Sequence, residues 1–113
     1  MNIERLLGLA KKTKEVEVGK MKFVLKQLNG DEEIEAEKAS TWAQNDDIFG
    51  RLKAIERESL PYAIVSVNGA AQTLEQNKNL LKNCPPGIRR DLELEYRRFL
   101  MDMDTEIENL KNE

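Results

Sequence analysis

Histidine is missing from this 113-residue chain, and cysteine occurs once, at Cys84. Without imidazole, neither a Ser-His nor a Cys-His nucleophile can be assembled, and the usual zinc ligand sets cannot be filled. A lone thiol makes no internal disulfide, which fits synthesis in a reducing cytoplasm. The six glycines are scattered, with neither GxxxxGK[ST] nor GxGxxG among them, so no loop is expected to cradle a phosphate. No apolar run reaches 18 residues and no signal-peptide core is present, so neither a membrane span nor a leader is expected. Charge of one sign is not in excess either. Eighteen basic residues face 21 acidic ones, giving a net charge of −3, and nucleic acid is not the default partner. No cofactor, metal or catalytic activity is expected.

What remains is a chain 40% apolar and 35% charged, whose apolar positions recur with a period. That content supports one modest core and a single domain over 1–113. We divide it into an N-terminal helical arm (1–12), a β-hairpin (13–28) and a helical region (29–113). In the arm, Ile3, Leu6, Leu7 and Ala10 share one helical face, with Asn2 as a candidate N-cap. So short a helix is marginal in water, and its stripe needs either the protein's own core or a partner.

Thr13 to Leu28 carries the clearest local pattern. A two-residue II′ turn at Gly19-Lys20 sets Val18 opposite Met21, Val16 opposite Phe23 and Lys14 opposite Leu25. Val16, Val18, Met21, Phe23 and Leu25 then share one face, which must be covered by helices or extended by strands of another chain. Lysines 12, 14, 20, 22 and 26 read as guards against indiscriminate edge pairing.

Asn29 or Asp31 can cap the next helix, whose acidic run reads as a solvated face. Its apolar stripe of Ile34, Ala39, Trp42 and Ala43 is thin, and Trp42 fits either a core anchor or an interface anchor. Asp46 to Gly69 is the central segment. Ile48, Leu52 and Ile55 form a helical stripe, while Arg51, Lys53, Glu56 and Arg57 turn to water. Pro61 either kinks this helix or restarts it, and Tyr62 to Val67 reads as helix in preference to strand. After Cys84-Pro85-Pro86-Gly87, the positions Ile88, Leu92, Tyr96, Phe99, Met103, Ile107 and Leu110 trace one face of a helix about 40 Å long. Arg89-Glu93-Arg97 can pair along it at i, i+4.

Asp46-Asp47, Glu56/Glu58 and Glu93/Glu95 are the nearest approach to paired catalytic carboxylates. All lie in stretches that read as exposed, whereas acid catalysis needs a buried partner, and Asp46-Asp47 reads better as a helix cap. Cys84 has no neighbour in sequence that would strongly activate it.

Three phrases taken together resemble the small tail-assembly and baseplate-hub proteins of long-tailed bacteriophages. These are MKFVLKQLNGDEEIE, RLKAIERESLPYAIVSVNG and LLKNCPPGIRRDLELEYRRFL, covering roughly residues 21–105. Leu28, Gly30 and Glu32 or Glu33 occupy the family's strand-to-helix turn, and Ala63 to Gly69 its middle phrase. Ile88, Leu92, Tyr96 and Phe99 fall on its closing helix. The resemblance implies a non-enzymatic protein that binds tail or baseplate components in the host cytoplasm, as an assembly chaperone or as a minor part of the virion.

The fold expected is α+β, with an N-terminal β-hairpin packed on a small helical domain closed by a long C-terminal helix. Candidate partner-binding residues are Ile3, Leu6, Leu7, Val16, Val18, Phe23 and Trp42, and a second copy of the chain is a further candidate partner. The alternative is a small nucleic-acid-associated regulator using Lys11, Lys12, Lys14, Lys20, Lys22 and Lys26.

Overall fold

In the hairpin, every second residue is apolar, and the strands pair in the register those residues demand. Strand β1 (Thr13–Val18) lies antiparallel to β2 (Met21–Lys26), with Val16 opposite Phe23 and Val18 opposite Met21. The turn differs in type from the expectation. Gly19 and Lys20 both have positive φ, +57° and +66°, which is type I′ and not II′, and I′ matches the twist of the flanking strands. A Cβ at Gly19 would lie 2.5 Å from Ile88 Cδ1, so the turn is seated against the C-terminal helix. Gly19→Ala is expected to cost about 1–2 kcal/mol for the left-handed backbone, whereas Lys20→Gly gains about 0.5–1 kcal/mol. Urea denaturation of the two variants reads both signs.

The computed structural model describes residues 3–43 and 47–112. Besides the hairpin it contains helix α1 (Ile3–Ala10), helix α2 (Gly30–Ala39) and a 3₁₀ turn (Ser40–Ala43). Helix α3 (Ile48–Ala63), strands β3 (Ile64–Val67) and β4 (Ala70–Ala71), and helices α4 (Leu74–Asn83) and α5 (Pro86–Lys111) follow. The fold is α+β, as expected. Asn29 caps α2 through a reciprocal box with Glu32, and Asp47 caps α3 by accepting from Gly50 N. Asp31, the alternative cap for α2, lies in its first turn, and the candidate caps Asn2 and Asp46 lie outside the described residues.

The central segment departs from the expectation. Helix α3 runs through Pro61 to Ala63, and the β-branched residues Ile64, Val65 and Val67 then form β3 instead of continuing as helix. This strand pairs with β2, Phe23 opposite Val67 and Leu25 opposite Ile64, with a bulge that leaves Val65 unmatched. The sheet order is β1-β2-β3-β4, so β2 is paired on both sides while β1 keeps an unpaired edge within the sheet. Asn68 and Gly69 have φ of +51° and +81° and turn β3 into β4. Asn68 also ties that turn to β2, because its Oδ1 accepts from Lys22 N at 2.8 Å.

The core lies between the sheet and α5. Val16, Val18, Phe23 and Leu25 meet Leu92, Tyr96, Phe99 and Met103, with Leu60, Ala63, Ile64 and Leu81 closing one end. This corrects the expectation for Val16, Val18 and Phe23. They are buried in the protein's own core, because α5 supplies the apolar cover the hairpin needs, so they are not displayed to a partner.

Asn77 of α4 holds the junction between α3 and β3. It is 2% exposed, and its Nδ2 donates to Pro61 O at 2.8 Å and to Ile64 O at 2.9 Å. Carbonyls at the end of a helix have lost their next-turn donors, and a side chain from another helix supplies them here.

Candidate interaction surfaces

Helix α1 has its apolar stripe turned outward. Arg5, Gly8, Leu9 and Lys12 face the end of α5, where Lys12 Nζ meets Glu106 Oε2 at 2.7 Å. Gln27 Nε2 donates to Leu9 O at 2.7 Å and anchors the helix from the other side. Ile3, Leu6 and Leu7 lie on the opposite side of the helix and are exposed, Ile3 by 72%. The stripe is therefore not spent on the protein's own core.

Helix α3 shows the same thing more strongly. Its stripe of Ile48, Leu52 and Ile55 continues into Ser59 and Ala63, and only that second half is buried. The first turns run past the edge of the core, leaving Ile48, Phe49 and Leu52 exposed by 69%, 72% and 57%. With Tyr96 and Leu100 of α5, Phe49, Leu52 and Ile55 line an apolar groove of about 540 Å³. Arg97 and Glu56 border it, joined by two hydrogen bonds of 3.0 and 2.7 Å. Arg97 thus pairs across to α3 and not along its own helix, and of the expected Arg89-Glu93-Arg97 series Arg89–Glu93 forms, at 3.8 Å. That hydrogen bond raises the Arg97 pKa.

Burial pushes the Tyr96 phenol up to about 12, reinforced by the nearby charges of Glu33, Glu56 and Glu32. An unfolded chain releases this proton near pH 10, so between pH 10 and 12 the folded state holds a proton the unfolded state has lost. Stability must then fall with rising pH, by about 1.4 kcal/mol per unit from this group, and its contribution is intact below pH 10. Tyr96→Phe is expected to flatten the pH dependence of urea stability over that window by one proton.

A third surface lies on the other side of α3. Trp42, Arg57, Pro61, Leu81, Lys82 and Arg89 line a cleft that continues past Lys53, Ala54, Arg90 and Leu94. Trp42, the only tryptophan, is 60% exposed, and its Nε1 donates to Glu58 at 3.0 Å. It is therefore not the core anchor that one reading of the sequence allowed. The acids in the cleft are all engaged, Glu56 by Arg97, Glu58 by Trp42 and Glu93 beside Arg89. Burial outweighs Arg89 at Glu93 and raises its pKa. In contrast, Lys53, Arg57, Lys78, Lys82 and Arg90 have no carboxylate within ion-pair distance among the described residues. The cleft is thus basic in a protein of net negative charge. The i, i+4 pairs Lys53/Arg57 and Lys78/Lys82 were the sequence signal for it, hidden among equally frequent acids.

No group of three or more candidate metal ligands occurs among the described residues, and no helix among them is long and apolar enough to cross a membrane. Cys84 is a half-buried free thiol. No protein-family model, curated protein or solved structure matches the chain.

Proposed function

We propose that the protein is a non-catalytic interaction protein whose partners are tail or baseplate components of a long-tailed bacteriophage. It acts as an assembly chaperone or a minor resident of the particle, meeting its partners in the host cytoplasm. The observation that carries the docking role is the uncovered first half of α3, where a core-type stripe opens beside an apolar groove. An amphipathic helix laid into such a groove buries its apolar face at i, i+3, i+4 and i+7. The outward stripe of α1 offers a second contact of the same kind. Strand addition is left to the free edge of β1, since β3 occupies the other edge of the hairpin. The assignment to phage tails rests on the sequence resemblance. The nucleic-acid alternative through the N-terminal lysines is weakened, because Lys12, Lys14 and Lys26 are paired with Glu106, Asp102 and Glu32.

The test is affinity capture from the source lysate with the tagged protein, with and without nuclease, read by mass spectrometry. Recovery of tail or baseplate proteins that survives nuclease is expected. The double variant Phe49→Asp/Leu52→Asp should lose at least about tenfold of that recovery, as for residues central to an interface, while keeping its urea midpoint. Recovery that vanishes with nuclease, or is untouched by the double variant, would sink the reading.

A further inference from the structure

We propose that the basic cleft around Trp42 is the seat of helix α2 from a second copy of this chain. The proposal goes beyond partner docking and uses a surface that the docking role leaves free. The seat and its occupant are complementary in charge, spacing and apolar content. Lys53 and Arg57 on α3, and Lys78 and Lys82 on α4, stand four residues apart, about 6 Å along their helices. On α2, Asp31 and Glu35, and Glu33 and Glu37, repeat the same interval with opposite sign. Asp31, Glu33 and Glu37 make no ion pair among the described residues, and Glu35 has only Lys38 at 3.6 Å.

The helix also carries an apolar group where the cleft would receive one. Ala36 is buried against the protein's own body, and Ile34, pointing away from it, is 51% exposed amid the acids. Trp42 and Leu94 offer the matching apolar surface between the cations, over a floor made by the buried Leu81. Because the indole N–H is already held by Glu58, the ring offers its faces for packing. Within one chain, α2 runs directly into the 3₁₀ turn that carries Trp42, so helix and cleft are separate surfaces of the same protomer. The contact joins two different surfaces, so it is compatible both with a two-fold dimer in which each copy seats its α2 in the other's cleft and with head-to-tail chains or rings. One face of a ten-residue helix covers well under the roughly 800 Å² per partner of a stable complex, so association is weak and salt-sensitive.

The experiment uses the full chain in sedimentation equilibrium at low and high salt, with Trp42 emission recorded in parallel. The wild type should rise above its 13.0 kDa monomer mass as concentration increases, its emission shifting to the blue, and return to monomer in high salt. A cleft variant, Arg57→Glu/Lys82→Glu, and a helix variant, Glu33→Lys/Glu37→Lys, should each self-associate at least about tenfold more weakly. All four positions lie on the surface or at its edge, and circular dichroism checks that both variants fold. Mixed together, the two variants should associate again, since the native helix of one meets the native cleft of the other, and the reversed helix and reversed cleft are complementary in turn. A wild type that stays monomeric at all concentrations overturns the proposal. So does association that both variants retain, or a mixture that forms no complex. Emission that responds to an oligothymidylate but not to self-titration assigns the cleft to a phosphate backbone and overturns it too. None of these results alters capture of partners through Phe49 and Leu52, so the two readings fail separately.

Discussion

Phe23→Asp is expected to leave no folded protein at 25 °C, read as collapse of amide dispersion in a proton–nitrogen NMR spectrum and loss of the cooperative urea transition. Phe23 has no exposed surface and sits on the strand paired on both sides. Removing a buried phenyl ring costs about 3–5 kcal/mol, and an unpaired buried carboxylate adds several more. Total stabilities of domains this size are only about 5–15 kcal/mol. Val16→Asp should behave the same way, since it meets the same cluster from the opposite strand. Loss of partner binding in either variant would therefore report loss of the fold, whereas a charge at Phe49 or Leu52 tests a surface. A Phe23→Asp chain that still unfolds cooperatively would mean that α5 does not cover this face.

Asn77→Ala is expected to lower stability by about 2–4 kcal/mol, large for a residue that contributes almost nothing to the apolar core. The loss comes from two carbonyls, Pro61 O and Ile64 O, left buried without a donor. Asn77→Asp should be worse, because it turns a carboxylate oxygen toward two carbonyl oxygens at the same distance. Thermal and urea unfolding of the pair against wild type gives both numbers. If the alanine variant lost less than about 1 kcal/mol, the break between helix and strand would be held by the β2–β3 ladder alone.

The parts of the fold legible in the sequence are those whose partners are close in the chain. The hairpin register follows from alternation alone, since a slip of one residue would turn Val16, Phe23 and Leu25 to water. The long stripe from Leu92 to Leu110 was equally plain, because α5 is buried along one face for most of its length. Strand β3 was misread as helix because its apolar run continues the stripe of α3 without a gap. Asn68-Gly69 carried the missing signal. Read as a type I′ turn, it marks the residues on both sides as strand. The candidate surfaces were less legible. A stripe of Ile48, Leu52 and Ile55 looks the same whether the helix lies over the core or overhangs it, and only the packing decides. Trp42 has the same ambiguity, and Asn77 gave no sign of its role because its acceptors lie 16 and 13 residues earlier.

The pairing of β2 with β3 has a consequence for synthesis. Phe23 waits for Val67, so β2 carries a bare edge while the intervening 43 residues are made. At ordinary translation rates of about 5–20 residues per second this lasts on the order of seconds. During that time the nascent segment MKFVLK is an apolar strand with a free ladder on one side, the kind of segment that recruits its neighbours on a polysome. Lys22 and Lys26 bracket it. In the finished protein Lys26 pairs with Glu32, and Lys22 has no carboxylate within ion-pair distance among the described residues. Two lysines within this six-residue segment are the charge pattern that disfavours pairing of like strands, which the closing of the sheet by β3 then makes unnecessary.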